Sequence, residues 1–125
     1  MELQELVRSL DLKRLAPAGQ TAPDGAADDG AVADITQGYA SDLLSDVLAH
    51  APTGGVLVTL QVHLNVIAVA SHAGLRAVIF ACGRTPEDDV VERATEEGLA
   101  LFVSPMDTFE IVGRLYGLGL RGATA

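Results

Sequence analysis

Polar side chains alternate along the segment that ends an apolar run at residues 56–60. Thr59, Gln61, His63 and Asn65 stand two residues apart, where a pattern typical of a buried strand stops. Such an alternation can line a pocket with hydrogen-bonding groups for a ligand. The alternative is that the same side chains cap the next helix and satisfy its free amide groups. The pattern alone leaves both interpretations open.

A second polar junction, Gly83-Arg84, follows the next apolar run and precedes Thr85-Pro86. Glycine permits close approach of the backbone, and arginine offers a planar fork for phosphate or carboxylate. A helix N-terminus predicted directly after these residues would also favour an anion. The alternative is a tight turn with an exposed arginine that pairs with an acid. The sequence contains neither a Walker A loop nor a dinucleotide-binding glycine fingerprint.

A third junction contains Ser104, Asp107 and Thr108, although Asp107 and Thr108 can equally do no more than start the last helix. In a parallel sheet all three junctions lie at one edge, outside the carboxyl ends of the strands, where ligands usually bind. We therefore predict a site there for a small anionic ligand. Its candidate ligand-binding residues are Thr59, Gln61, His63, Asn65, Gly83, Arg84, Ser104, Asp107 and Thr108.

Catalysis is not indicated, because no nucleophile has a recognisable base and orienting partner. Cys82 lies near a predicted helix N-terminus, which would activate its thiol. Buried packing is nevertheless the commoner role of a free cysteine. A small enzyme that uses Cys82, His63 or Asp42 is the remaining catalytic hypothesis. We predict a protein that is not an enzyme and needs no cofactor.

Metal binding is not indicated either, because the three histidines fall in separate predicted elements without ligand spacing. Two serines and two aspartates with helical spacing could present carboxylates to a metal or a partner. A helix cap with a solvated face explains them more simply. These four residues are Ser41, Asp42, Ser45 and Asp46.

Composition narrows the class of protein. The chain has 125 residues, which favours one domain, and its hydrophobic fraction of 49% includes only 4% aromatic residues. A net charge of -9 disfavours nucleic acid, which is bound largely through Lys and Arg. The single cysteine fits a reducing compartment. No apolar run reaches the ~20 residues of a membrane span, and the start lacks a signal-peptide pattern, so we expect a cytoplasmic protein without membrane contact.

The order of predicted elements is that of an α/β domain with a mainly parallel sheet covered by helices on both faces, in three layers. A single domain spans residues 1–125, with its core at about 32–118. The predicted elements are helix 2–10, strand 13–16, flexible loop 17–31, strand 32–39 with a turn near Gly38, helix 42–50, strand 56–60, helix 64–73, strand 76–81, helix 86–97, strand 99–103, helix 107–116 and a frayed tail at 119–125.

Hydroxyl side chains are predicted to start three of these helices. Ser41 is the expected N-cap of the helix at 42–50, with Asp42 in its first turn. Thr85 and Ser104 are each followed by proline and, three residues later, by an acid, as in helix N-termini. The residues predicted to face the core from helix 42–50 are Leu43, Leu44, Val47 and Leu48.

One predicted helix is strongly acidic on one face. The ordinary interpretation is a solvated surface, and the sharper one is a docking face for a basic partner protein. The acidic residues are Glu87, Asp88, Asp89, Glu92, Glu96 and Glu97.

Four segments together resemble stand-alone DRTGG-domain proteins, in order and with plausible spacing over about residues 32–118. The chain departs from the family where members often carry Thr-Gly-Gly and this sequence has Ala81-Cys82-Gly83, and residues 17–31 are more irregular than expected. The four segments are residues 38–49, 58–65, 83–86 and 104–110.

The resemblance implies a fold like the N-terminal domain of bacterial HPr kinase/phosphorylase. Such domains also occur within phosphotransacetylases, cobyrinic acid synthase-like proteins and CBS-domain pyrophosphatases, as regulatory or oligomerising modules, in some cases near an adenine nucleotide. Stand-alone members are sometimes labelled serine kinases, but kinase activity is not expected here because the sequence has no phosphate-binding loop.

Two functional hypotheses follow. The first is a non-catalytic regulatory module that forms a homodimer and binds a small anionic ligand, such as an adenine nucleotide or another phosphorylated small molecule. The second is a protein-interaction or oligomerisation subunit of an enzyme complex, without a small-molecule ligand. Twofold homodimers are the commonest soluble oligomers, which also favours a dimer.

Overall fold

The computed structural model describes residues 1–17 and 34–123. Within these residues, five strands form one sheet in the order β1-β5-β4-β3-β2, accompanied by five helices. The strands are β1 (Lys13–Ala16), β2 (Gly38–Ala40), β3 (Val56–Thr59), β4 (Ala77–Phe80) and β5 (Ala100–Val103). The helices are α1 (Leu3–Leu10), α2 (Leu44–His50), α3 (Asn65–His72), α4 (Asp88–Glu97) and α5 (Thr108–Gly117).

Strands β2 to β5 pair in parallel, and β1 pairs antiparallel with β5. Every residue of β3, β4 and β5 is buried, as expected for parallel strands covered on both faces. The predicted three-layer α/β fold with a mainly parallel sheet is therefore confirmed. No helix within residues 1–17 and 34–123 is both long and apolar enough to cross a membrane.

Two apolar clusters lie on opposite faces of the sheet. Leu6 of α1 and Ile111 of α5 pack with Val56 and Val58 on one face. Leu57, which points to the other face of β3, joins the side chains of α2, α3 and α4. Side chains alternate along a strand, so one short apolar run supplies both cores.

The helix starts differ from the prediction. Leu43, Glu87 and Asp107 are the N-cap residues of α2, α4 and α5, so the predicted caps Ser41, Thr85 and Ser104 are wrong. In each case the helix begins two to three residues later than the hydroxyl side chain suggested. The hydroxyls instead stabilise the connecting turns: Ser41 Oγ accepts from the Leu43 amide at 3.2 Å, and Ser104 Oγ from the Met106 amide at 3.1 Å.

The region before and within α2 also differs. The turn predicted near Gly38 is wrong, because Gly38 is the first residue of β2 and pairs with Val56. The part of the predicted 32–39 strand at 32–33 and the loop from residue 18 lie outside the described residues. Val47 of α2 is buried, whereas Leu43 and Leu48 are exposed, contrary to their predicted core positions.

The chain from Gly119 to Arg121 is hydrogen-bonded to the fold, so the frayed tail predicted for this stretch is wrong. The Arg121 amide donates to the Thr36 carbonyl at 3.0 Å, and the Gly38 amide donates to the Arg121 carbonyl at 2.9 Å. Leu120 between them is buried against the α5 face of the sheet. Arg121 forms a parallel bridge with Gln37, the residue before β2.

Candidate functional site

The three predicted junctions lie side by side at the carboxyl edge of the sheet, where backbone hydrogen bonds join them. The Ala81 amide donates to the Thr59 carbonyl at 3.1 Å, which links the ends of β3 and β4. The Ser104 amide donates to the Phe80 carbonyl at 3.0 Å, and the Gly83 amide to the Ser104 carbonyl at 2.8 Å, which links β4 to β5. The edge is thus one continuous backbone surface.

A carboxylate from outside the junctions holds the end of β3. Asp42 Oδ1 accepts from the Thr59 hydroxyl at 3.0 Å and from the Leu60 amide at 2.7 Å. The Gln61 side chain donates to the Asp42 carbonyl at 2.9 Å, and the Gln61 amide donates to the Thr59 hydroxyl at 3.1 Å. Asp42 precedes α2 and is not in its first turn as predicted. Its role in this network could not be seen in the sequence.

The turn after β4 has an unusual backbone. Cys82 and Gly83 have φ values of 60° and 69°, and the Arg84 amide donates to the Ala81 carbonyl at 3.1 Å. Positive φ at both central residues is the requirement of a type I′ turn, which glycine meets more easily than cysteine. Cys82 is exposed, so its predicted buried packing is wrong.

Arg84 is tied to the neighbouring junction. Its Nε donates to the Leu60 carbonyl at 2.8 Å, and the residue is exposed. The alternative of a pairing with an acid is not realised within residues 1–17 and 34–123, where Arg84 makes no salt bridge. One side of the guanidinium is therefore fixed to the protein, while the terminal Nη atoms make no hydrogen bond to the described residues. Those atoms can serve an external anion.

His63 and Asn65 supply two further exposed groups in the junction after β3, to which Arg84 is hydrogen-bonded through Leu60. The Asn65 amide donates to His63 Nδ1 at 3.0 Å, just at the start of α3. Because Nδ1 accepts, the proton of the neutral ring is on Nε2, which is then a donor. The Asn65 side chain has no hydrogen-bond partner among the described residues. Both side chains are exposed, so both can meet a ligand in solvent.

The junction after β5 is occupied mainly by local bonds. Ser104 is fully buried, and its hydroxyl accepts from the Met106 amide. Asp107 Oδ1 accepts from the Glu110 amide at 2.9 Å and so caps α5. Thr108 is the first residue of α5 and is half-buried. The simpler interpretation of Asp107, as a helix start, is therefore realised.

The nine candidate residues fall into two groups. Thr59 and Ser104 are fully buried and their hydroxyls stabilise turns, so their direct contact with a ligand stays a prediction. The side chain of Asp107 caps α5. The candidates that retain exposed or half-buried surface are Gln61, His63, Asn65, Gly83 and Arg84 at the ends of β3 and β4, with Asp107 and Thr108 after β5.

A polar cluster that sequence reasoning missed joins β2 to α2. The Tyr39 hydroxyl donates to Asp46 Oδ2 at 2.8 Å, and His50 Nδ1 lies 3.0 Å from Asp46 Oδ1. The bond from Tyr39, followed by those from Ser41 and His50, lowers the pKa of Asp46. The same bond raises the pKa of Tyr39. The spacing of Asp46 and His50 by four residues signals their pairing, but nothing local signals Tyr39.

Metal ligands are not clustered in the described part of the chain: within it, no group of three or more His, Cys, Asp or Glu side chains could hold an ion. The acidic residues at 87–89 open α4 and are exposed. Their charges lie at the helix N-terminus that was expected to attract an anion after Arg84. These acidic side chains offset the attraction of the α4 dipole for an anion, so we expect an anion at this edge to bind mainly through Arg84.

A groove of about 320 Å³ runs between β2, α5 and the segment after α5. It lies away from the three junctions and is mostly apolar. Arg121 stacks on the Tyr116 ring at its rim, 3.8 Å from guanidinium carbon to ring centroid. Its lining residues include Gly38, Ala40, Val58, Val112, Tyr116 and Leu120.

The fold matches a solved structure of the CBS and DRTGG domains from the regulatory region of a Clostridium perfringens pyrophosphatase, complexed with its activator diadenosine tetraphosphate. The TM-score is 0.66 at 14% sequence identity, and the match covers 95% of this chain and 47% of that one. The fold is DRTGG-like. The chain thus spans about half the length of the regulatory region it matches.

Sequence comparisons add no closer assignment for the DRTGG-like chain. No family model matches it, and no curated protein matches it. The relation to the N-terminal domain of HPr kinase/phosphorylase stays a prediction from the resembling segments.

Proposed function

We propose that this protein is a non-catalytic regulatory module that binds a small anionic ligand, such as an adenine nucleotide, at the carboxyl edge of its sheet, and that it acts as a homodimer. One observation carries the ligand proposal. The guanidinium of Arg84 is anchored through Nε to the Leu60 carbonyl, which leaves its terminal nitrogens unbonded to the described residues at an exposed edge. A guanidinium held in this way loses less side-chain entropy when it binds an anion.

The surroundings of Arg84 support the same ligand class. His63 Nε2 and the Asn65 side chain are exposed donors on the adjoining junction, where the His63–Asn65 bond fixes the ring. The hydrogen bonds from Thr59 and Leu60 to Asp42 fix the position of this junction. Because the chain carries a net charge of -9, a nucleotide needs a local positive charge in order to bind. Arg84 can supply that charge, and the two neutral donors can add hydrogen bonds.

The choice of an adenine nucleotide is supported by the DRTGG-like fold. The regulatory region with that fold was solved with diadenosine tetraphosphate, at a sequence identity of 14%. Adenine nucleotides are therefore the first ligand class to test. The absence of catalysis stays a prediction from the sequence. A cytoplasmic location stays a prediction from the sequence.

A thermal-shift screen with AMP, ADP, ATP and diadenosine tetraphosphate tests the proposal directly. A ligand at 100 times its Kd stabilises the folded protein by about 2.7 kcal/mol, and each kcal/mol raises Tm by roughly 2–8 °C. Calorimetry on the ligand that gives a shift should then show weaker binding by Arg84→Ala. The expected loss is about 1–3 kcal/mol, the worth of a charge-assisted hydrogen bond.

The matched control is Arg93→Ala, which removes one exposed arginine from α4. Among the described residues Arg93 pairs with Glu97 of its own helix, at 3.6 Å, so this variant should bind like the wild type. Equal affinity of Arg84→Ala and the wild type would contradict the site. Equal losses in both variants would instead indicate nonspecific electrostatic attraction.

The alternative function, an interaction subunit without a small ligand, is favoured by one observation: large apolar side chains of α5 are exposed. If no nucleotide or phosphorylated metabolite raises Tm, this alternative becomes the better explanation. The acidic face of α4 would then be the surface to test against basic partner proteins. Reduced capture after Glu92→Lys would support that role.

A further inference from the structure

Several large apolar side chains of α5 are exposed, beside the ion pair of Glu110 and Arg114. Phe109 is 87% exposed, Tyr116 is 58% exposed and Val112 is 38% exposed. Phe109 lies outside the buried face of the helix, which Ile111 and Leu115 occupy, whereas Val112 and Tyr116 line the groove beside β2. Three large apolar side chains on one helix face, outside the core, are typical of a surface that another protein covers.

Two glycines lie on the same face. Gly113 and Gly117 follow Phe109 at intervals of four residues, and a side chain built on either would have open space around it. Packing within the monomer therefore does not require glycine, although glycine is less favourable in a helix than alanine. Bare backbone at these positions allows a second helix to approach closely.

The groove of about 320 Å³ lies beside this face. An engineered apolar cavity of about 150 Å³ in another protein is large enough to bind benzene, so the groove has sufficient volume for a phenyl ring. Its lining, from Val112 to Ala123, flanks the second half of α5. Phe109 lies at the other end of the helix and is the most exposed large apolar side chain of the described residues.

Charge favours a second copy of the chain as the occupant. Glu110 and Arg114 on α5 pair at 2.8 Å, so this face is locally balanced in a chain of net charge -9. The acidic face of α4 would repel an identical chain, whereas the α5 face would not. A two-fold arrangement also brings Glu110 of one copy near Arg114 of the other.

We propose that two copies dock through α5, antiparallel about a two-fold axis near Gly113, so that each Phe109 enters the groove of the partner. The axis places residues 109 and 117 opposite each other, because both are four positions from Gly113. Each ring then passes over bare backbone at Gly117 and reaches the groove beside it. This contact deepens the dimeric part of the proposed function and uses a surface separate from Arg84.

Sedimentation equilibrium of the full chain without ligand tests the contact. Phe109→Asp should raise the dimer Kd by about a hundredfold or more, since a central apolar anchor is lost twice in a symmetric interface. The control is Leu43→Asp, which changes another exposed large apolar residue, 64% exposed, at the N-cap of α2. The control should dimerise like the wild type.

A second variant tests the position of the axis. Gly113→Leu adds a side chain where the monomer has open space, so it should preserve or raise Tm and yet weaken dimerisation. A Phe109→Asp dimer as tight as the wild type would overturn the proposal. So would a wild type that is still monomeric at roughly 100 µM, far above the micromolar Kd of a weak interface of standard size.

The failure of this contact is distinguishable from failure of the ligand site. Phe109→Asp monomers should keep the nucleotide shift in Tm, and Arg84→Ala should keep the dimer Kd. A weakened Phe109→Asp dimer in a protein that no nucleotide stabilises would support the contact and count against the ligand site alone.

Discussion

The junctions after β3 and after β5 are both held by an aspartate, but the two aspartates come from different places in the chain. Asp42 precedes α2 and reaches across to Thr59 and Leu60, which are 17 and 18 residues away. Asp107 bonds the Glu110 amide only three residues later. The first carboxylate joins the β2–α2 segment to the end of β3, whereas the second completes one turn of α5.

This difference decides what each junction can do. A local cap stabilises its own helix and leaves neighbouring elements free to adjust. The Asp42 network fixes the end of β3 relative to a second segment, and Arg84 is anchored to the Leu60 carbonyl of the same junction. We therefore expect changes at Asp42 to spread further than changes at Asp107.

The largest effect should come from Asp42→Ala. The substitution leaves the buried Thr59 hydroxyl and the Leu60 amide without their acceptor, and an unsatisfied buried group costs about 1–3 kcal/mol. The free energy of unfolding from urea denaturation should fall by that amount, and Tm by roughly 2–8 °C for each kcal/mol. Asp42→Asn keeps one oxygen acceptor and should lose less.

The control is Glu92→Ala on α4, which removes the same charge from an exposed helix position. Its free energy of unfolding should stay within about 0.5 kcal/mol of the wild type. If Asp42→Ala were as stable as this control, the network around Thr59 would be too weak to hold the junction. Asp42 would then not differ from Asp107 in how far its effect spreads.

The fold was predictable because its central elements carry strong, local patterns. The apolar runs at β3, β4 and β5 and the glycines after the helices identify a parallel α/β sheet without any knowledge of contacts. Helix starts were less predictable. Thr85-Pro86 and Ser104-Pro105 have the residue types of a cap and first turn, but both stretches form connecting turns, and the helices begin at Asp88 and Thr108.

The candidate site was predictable in its place and only partly in its residues. Topology puts Thr59, His63 and Arg84 at the same edge, whatever their orientation. The alternation of polar residues cannot show that Thr59 is buried while His63 is exposed, since that depends on Asp42 from another element. The same limit applies to the α5 face, where helical periodicity places Phe109 outward but cannot show the groove.

A smaller effect is expected from Asp107→Ala, because only the first turn of α5 loses an acceptor. Removal of an N-cap side chain costs about 0.5–2 kcal/mol, typically near 1. The loss should appear in the free energy of unfolding, and Asp107→Asn or Asp107→Ser should restore most of it. A loss as large as that of Asp42→Ala, or one that the other capping residues do not restore, would show that Asp107 does more than cap the helix.

The smallest effect, visible mainly as a change with pH, should come from Tyr39→Phe in the segment that Asp42 ties to β3. The bond from Tyr39 is the largest cause of the lowered pKa of Asp46. A carboxyl whose pKa is lower in the folded protein stabilises it above the unfolded value, about 3.9, and this stabilisation is lost as pH falls through the folded pKa.

In Tyr39→Phe the pKa of Asp46 should rise toward its ordinary value, so the gap in Tm between wild type and variant should be widest near neutral pH. The gap should narrow as pH falls below about 4, where the unfolded carboxyl takes up its proton first. Carboxyl NMR titration of Asp46 should show the rise in its pKa directly. A Tm gap that stays constant down to the acid limit would mean that the hydroxyl of Tyr39 stabilises the protein without the charge of Asp46.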